Sequence, residues 1–195
     1  MVAAMAKRPE KKNKSERKWR LALCEGQTEV WFFKSLGFEN FRAEVAKNRD
    51  AENIVKQAEN PSLRDYKIIY CVFDKDDNTD KQLNEANNLI KNNDFLVRVY
   101  SLPNFEVAFY LAQNKTSLDE GYDFDGYISK TYLNSEKYQK TEKQIKNIAS
   151  QINFIQLCSN SEALYEQICI DNNNWKQSVD SQAYSEIFRL KDLAS

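Results

Sequence analysis

Acidic residues follow three of the four short apolar runs in the first part of the chain. Glu25 follows the first run, Asp74 and Asp76 follow another, and Glu106 stands shortly after a third. If the runs are strands of a parallel sheet, these acids meet where the carboxyl ends of the strands lie side by side. Clustered carboxylates repel one another unless a cation lies between them, and Mg²⁺ or Mn²⁺ prefers such oxygen ligands. The pattern therefore predicts a metal site suited to phosphate chemistry.

The acids differ in the role that we expect of each. Asp74 and Asp76 are two residues apart, so in extended backbone they point the same way and would hold the metal. Glu25 would act as a further ligand or as a general base, and either Glu25 or Glu106 would hold a second metal if there is one. Glu29 lies beside the same edge and is an additional candidate ligand, although the helix dipole alone also favours an acid there.

The residues that follow Asp74 and Asp76 also have an interpretation that involves no metal. Asp77 extends the acidic run and is an additional candidate ligand. A run of Asp and Asn after a strand is also typical of a solvated turn.

The composition excludes several classes of enzyme. The chain of 195 residues contains no histidine, which excludes Ser-His-Asp and Cys-His catalysis and histidine-zinc hydrolases. Its four cysteines form no C-x-x-C pair, and no P-loop is present. Catalysis, if any, must depend on carboxylates, Lys, Tyr, Cys or a bound metal, and energy from ATP would have to come from a partner.

Positive charge is concentrated at the amino terminus. The first 20 residues carry eight Lys or Arg and two Glu, whereas the whole chain has a net charge of -1. Lys11, Lys12 and Lys14 are candidate contacts to nucleic acid phosphates, although a solvated tail has the same composition. Lys75 and Arg98 are candidate substrate contacts near the acids.

The elements that would position these residues alternate regularly. Strands are predicted at 21–24, 41–45, 67–73 and 95–100, with helices at 28–36, 50–59, 80–92 and 103–113. The alternation predicts an α/β fold with a doubly wound parallel sheet of about four strands. The remainder is predicted as a connecting loop with short helical pieces over 114–136 and as helices at 138–152, 160–170 and 180–192. We thus expect a disordered basic arm (1–19), an α/β core (20–115) and a helical extension (116–195) packed on it. The lack of a signal peptide or long apolar run favours a cytoplasmic protein without membrane contact.

Three ordered motifs resemble the Toprim fold and, more narrowly, the RloB family. They are Cys24-Glu25-Gly26-Gln27-Thr28-Glu29, Val72-Phe73-Asp74-Lys75-Asp76 and Ser101-Leu102-Pro103-Asn104-Phe105-Glu106. The resemblance covers about residues 20 to 113, with a fainter similarity at Lys137-Tyr138-Gln139-Lys140.

This resemblance implies a metal-dependent Toprim nuclease of bacterial anti-phage defence, found near restriction-modification genes or beside an ATPase. The substrate, DNA or RNA including tRNA, and the oligomeric state stay open. A non-catalytic adaptor that docks an ATPase or restriction complex is the alternative, and a receiver-like domain with Asp74 as phosphoryl acceptor is a third reading.

Overall fold

The computed structural model describes residues 19–76, 78–114, 122–171 and 183–194. The elements of these ranges are β1 (Arg20–Cys24), α1 (Gln27–Leu36), β2 (Phe41–Val45), α2 (Ala51–Ala58), a 3₁₀ turn (Pro61–Leu63), β3 (Ile68–Asp74), α3 (Asp80–Lys91), β4 (Leu96–Leu102), α4 (Val107–Leu111), α5 (Phe124–Tyr132), α6 (Glu142–Gln151), α7 (Phe154–Asp171), β5 (Tyr184–Ser185) and a 3₁₀ helix (Ile187–Leu193). The alternation of strand and helix through β4 follows the predicted order.

The strands form one sheet in the order β2-β1-β3-β4-β5. The first four are parallel, and β5 pairs antiparallel with β4. The α/β prediction is confirmed, but the described residues form a sheet of five strands rather than about four. Residues of β1 and β3 are almost entirely buried, as expected of central strands covered on both faces.

Helices cover the sheet from two sides. Right-handed crossovers from β1 to β2, and back from β2 to β3, require α1 and α2 to lie on opposite faces. The contacts agree, since α2 packs with α3 and α1 packs with α6. On the α1 side, Phe32, Phe33, Phe105 and Phe109 form edge-to-face ring contacts that fix α1 against the segment leading into α4. None of the described helices has the length and hydropathy needed to cross a membrane.

Three predicted helices differ from the structure. The helix expected at 160–170 begins six residues earlier, as α7 (Phe154–Asp171). The helix expected at 103–113 spans only Val107–Leu111, because the chain before it is bonded to the end of β3: the Pro103 carbonyl accepts hydrogen bonds from the amides of Lys75 and Asp76. Pro103 itself follows a cis peptide bond and is not a first helical residue. Within the range predicted as a helix at 180–192, the described residues form β5 and a 3₁₀ helix, since Ser185 pairs with Ser101 of β4.

Candidate functional site

A pocket of about 400 Å³ opens at the carboxyl-terminal edge of the sheet. Five acids line it, and four of them are Glu25 after β1, Glu29 in the first turn of α1, Asp74 at the end of β3, and Glu106 before α4. We call it the acidic pocket. Its other lining residues are Gly26, Thr28, Arg49, Asp50 and Lys140. The Asp50 carboxylate caps α2 by accepting from the Asn53 amide, so the other four acids are the ones without a capping role of this kind.

Glu25 joins the ends of β1 and β3. Its Oε2 accepts a hydrogen bond of 2.8 Å from the Asp74 amide, while its own amide donates to the Val72 carbonyl at 3.0 Å. Because β1 and β3 are neighbours in the sheet, residues that are 49 positions apart in sequence meet here. The Glu25 side chain is therefore fixed by the sheet rather than by a loop.

Asn78 connects this junction to α2. Its Nδ2 donates to the Asp74 carbonyl at 2.8 Å and to Glu25 Oε2 at 3.3 Å, and its Oδ1 accepts from the Ala51 amide at 2.6 Å. Asn78 is buried. Since its donors and its acceptor serve different elements, the amide has one orientation that satisfies both.

Only one of the two carboxylate oxygens of Asp74 has a hydrogen-bond partner among the described residues. Its Oδ2 accepts from the Phe105 amide at 3.0 Å, but its Oδ1 is buried and accepts from no group among the described residues. Burial, followed by the negative charges of Glu29, Glu25 and Glu106, raises the pKa of Asp74 well above its usual range. The carboxylate thus lies where a positive charge would stabilise it.

Glu29, like Asp74, has a buried carboxylate oxygen without a hydrogen-bond partner among the described residues and a raised pKa. Its Oε2 is buried without a partner in the described part of the chain, and burial raises its pKa from 4.5 to about 7. The Glu106 charge adds to this increase, whereas Lys140 and backbone hydrogen bonds oppose it. Gly26 makes room for the carboxylate, because a Cβ at that position would lie 2.8 Å from Glu29 Oε2.

Glu106 is the acid with the most direct partners from the helical part of the chain. Its Oε1 lies 2.8 Å from Lys140 Nζ and accepts from the Tyr138 hydroxyl at 3.1 Å. Partial burial lowers the pKa of Lys140, but the charge of Glu106 and their hydrogen bond outweigh it, so the pKa is raised. Lys140 has a left-handed backbone (φ 50°), which is uncommon for a residue with a side chain and concentrates at functional sites.

The family model for RloB-like proteins matches residues 21–191. The chain belongs to the RloB-like family. No curated protein and no solved structure shows a match. The matched range includes α5, α6 and α7, so in this RloB-like chain the family pattern extends to the Lys140 segment as well as the sheet.

The structure brings together some of the predicted acids of this RloB-like chain and not others. Glu25, Glu29, Asp74 and Glu106 share the acidic pocket, whereas Asp76 is exposed and is not among its lining residues. The expectation that Asp74 and Asp76 point the same way is wrong, because β3 ends at Asp74 and the chain turns at Asp76. Asp77 lies outside the described residues.

Of the basic side chains that were predicted to contact the substrate, those that the structure describes are not among the residues that line the acidic pocket. Lys75 forms an ion pair of 2.9 Å with Asp80. The Arg98 guanidinium forms a bidentate pair with the fully buried Glu186 and donates to Asn87 at 2.7 Å, and its role as a substrate contact stays a prediction. Lys11, Lys12 and Lys14, with the rest of the predicted arm up to residue 18, lie outside the described residues.

Three residues in or beside the acidic pocket were not predicted from the sequence. Asn78 carried only the signal of ending an acidic turn, and Arg49 carried none. Lys140 lies in the segment with the fainter family similarity, which was the available signal for it. Nothing local indicates that this segment reaches Glu106, 34 positions earlier, because their contact depends on how α5 and α6 pack.

Two oxygen atoms of the acidic pocket have no hydrogen-bond partner among the described residues and could bind a cation. Asp74 Oδ1 and Glu29 Oε2 are buried acceptors in a negative pocket, which suits a hard divalent ion. In the described ranges, no three acidic or cysteine side chains are arranged to hold a metal jointly. The residues therefore fit a site of one or two carboxylates, in which water and phosphate oxygens complete the coordination of Mg²⁺.

Proposed function

We propose that this RloB-like protein is a nuclease that hydrolyses phosphodiester bonds with Mg²⁺ or Mn²⁺. The observation that carries the proposal is the unpartnered, buried Oδ1 of Asp74, surrounded by further carboxylates at the carboxyl edge of a parallel sheet. An orphaned charge of this kind is costly in a folded protein unless a ligand satisfies it. The edge of the sheet is also where α/β proteins bind ligands.

Asp74 would hold the cation, with Glu29 as the second ligand. When bound, the cation would stabilise charge on the phosphate and lower the pKa of a water molecule. Glu25 keeps Asp74 in position through the bond from the Asp74 amide, and Asn78 holds both. Asp76 stays a prediction as a ligand, since its side chain is exposed outside the pocket.

The two basic residues of the pocket support a phosphate substrate. Arg49 is exposed at the rim, and the Lys140 side chain is 53% exposed while paired with Glu106. A substrate phosphate would meet these cations on one side and the acids with their metal on the other. Such an arrangement orients an anion in a pocket that would otherwise repel it.

Four further features of the proposal rest on the resemblance to the RloB family. They are the Toprim classification, a role in anti-phage defence, an ATPase partner and a nucleic acid substrate of unspecified type. None of them is needed for the cation site itself.

The test is a comparison of wild-type protein with Asp74→Asn on tRNA, single-stranded DNA and duplex DNA in the presence of Mn²⁺ or Mg²⁺. Asn preserves an acceptor for the Phe105 amide, so the fold should persist. We expect cleavage to fall at least about a hundredfold. Asp65→Asn, which changes an exposed acid, is the matched control and should cleave as wild type does.

A second readout separates hydrolysis from cation binding. Mg²⁺ should raise the melting temperature of the wild type and leave that of Asp74→Asn unchanged. Stabilisation by Mg²⁺ without cleavage of any substrate would favour the non-catalytic adaptor. Undiminished cleavage by Asp74→Asn would refute the proposed site.

A further inference from the structure

The strand β2 has an unpaired edge. It stands at one end of the sheet order and pairs only with β1 among the described strands. An exposed edge presents a row of backbone donors and acceptors to any strand that can approach it.

The direction of these backbone groups follows from the bonds at both ends of β2. The Arg20 amide donates to the Asn40 carbonyl at 2.8 Å, and the Ala46 amide donates to the Cys24 carbonyl at 2.9 Å. Because successive residues of a strand alternate, the even-numbered groups face β1. The N–H and C=O groups of Phe41, Ala43 and Val45 therefore face outward, and no described residue bonds to them.

The side chains on this edge are self-complementary. Arg42 and Glu44 are exposed on one face of β2, one residue on each side of Ala43. Neither forms an ion pair within the described ranges, although the Arg42 guanidinium lies 5.3 Å from the centre of the Trp19 ring. A two-fold axis through Ala43 would bring each Arg42 opposite Glu44 of a second copy.

We propose that β2 pairs antiparallel with β2 of a second copy of this chain, with the two-fold axis at Ala43. Phe41, Ala43 and Val45 have the outward backbone groups, so they form the hydrogen-bonded positions of this ladder. Arg42 and Glu44 fall at the non-hydrogen-bonded positions, where opposite side chains are closest. The backbone register and the charge pattern thus select the same axis, and the contact occurs twice, as a symmetric dimer requires.

The other face of β2 supplies apolar surface to the same contact. A groove of about 400 Å³ runs beside the strand between α1 and Phe41, and its aromatic lining is Phe33, Phe38 and Phe41. In the proposed register, Phe41 lies opposite Val45 of the second copy on this face. The dimer would therefore join apolar side chains on one face and ion pairs on the other.

Charge reversal tests the register by sedimentation velocity on the full chain. Arg42→Glu places Glu opposite Glu, and Glu44→Arg places Arg opposite Arg, so each should raise the dimer dissociation constant at least about tenfold. The double variant Arg42→Glu/Glu44→Arg restores both pairs and should dimerise as wild type does. Arg64→Glu is the control, since it makes the same charge change at an exposed position away from β2.

The proposal fails if the wild type is monomeric up to its solubility limit, or if the double variant dimerises no better than the single variants. Hydrogen exchange adds a readout that identifies the occupant of the edge. The amides of Phe41, Ala43 and Val45 should gain protection as protein concentration increases, and lose it in Arg42→Glu. Protection that does not depend on concentration would show that another segment of the same chain covers the edge, and would also refute the proposal.

Discussion

The Glu29 carboxylate destabilises the folded protein above neutral pH. In the folded state its pKa is about 7, whereas a solvated glutamate has an ordinary pKa of 4.5. Each pH unit between the two values corresponds to about 1.4 kcal/mol, so ionising Glu29 in the fold costs roughly 3 kcal/mol. Replacement by the neutral isostere, Glu29→Gln, should remove this cost while it preserves the shape of the side chain.

The effect depends on pH in a defined direction. Below about pH 4.5, Glu29 is protonated in both the folded and the unfolded chain and contributes nothing. Between about pH 4.5 and pH 7 the unfolded chain loses its proton while the folded chain keeps it, so the wild-type free energy of unfolding falls. Without metal, Glu29→Gln should therefore be about 1 to 3 kcal/mol more stable than wild type at pH 8 and about equally stable at pH 4.

Urea denaturation at the two pH values, with a chelator present, measures the difference. Glu39→Gln, which changes an exposed glutamate, is the control and should stay within about 0.5 kcal/mol of wild type at both pH values. Added Mg²⁺ should stabilise the wild type more than Glu29→Gln at pH 8, because the ionised carboxylate attracts the cation. Equal stabilisation by the substitution at pH 4 and pH 8, or a loss of stability at pH 8, would refute the argument from buried charge.

Three further substitutions test the surroundings of the pocket. Asn78→Ala should lower the free energy of unfolding by about 2 kcal/mol in urea, since it leaves the Ala51 amide and the Asp74 carbonyl without their partner; an unchanged stability would contradict the bridging role. Arg98→Met should cost about 3 kcal/mol because Glu186 stays buried, and adding Glu186→Gln should recover part of that loss in the same assay. Lys140→Met should change stability by less than about 1 kcal/mol, because the side chain is half exposed, yet weaken nucleic acid binding several-fold at low salt in a fluorescence anisotropy titration. Binding that is independent of Lys140 at low salt would remove it from the proposed phosphate contact.

The strands β1 to β4 could be predicted from the sequence because each corresponds to a short run of apolar residues. The second strand was expected at 41–45 and spans Phe41–Val45, and the run at 67–73 matches β3 to within one residue at each end. Parallel pairing then brings the residues after β1 and β3 to one edge, which is why Glu25 and Asp74 could be expected to meet.

Features that depend on distant contacts were not predictable in this way. β5 is only two residues long and exists through its pairing with β4, a contact that no local pattern encodes. The turn at Asp76 arises because the amides of Lys75 and Asp76 bond to Pro103, which ends the alternation that the spacing of the two aspartates suggested. Lys140 reaches Glu106 through the packing of helices, for which the sequence offers no periodic signal.

The position of Glu186 has a consequence for how the chain is made. Arg98 lies on β4, and the acid that neutralises it comes 88 residues later, beside the strand that closes the β4 edge. During synthesis, β1 to β4 therefore emerge with a lone cation on β4 and an unpaired edge there, a state prone to association with other chains. We expect the sheet to become complete only after residue 186 has left the ribosome, so a translational arrest between β4 and β5 should yield aggregating chains.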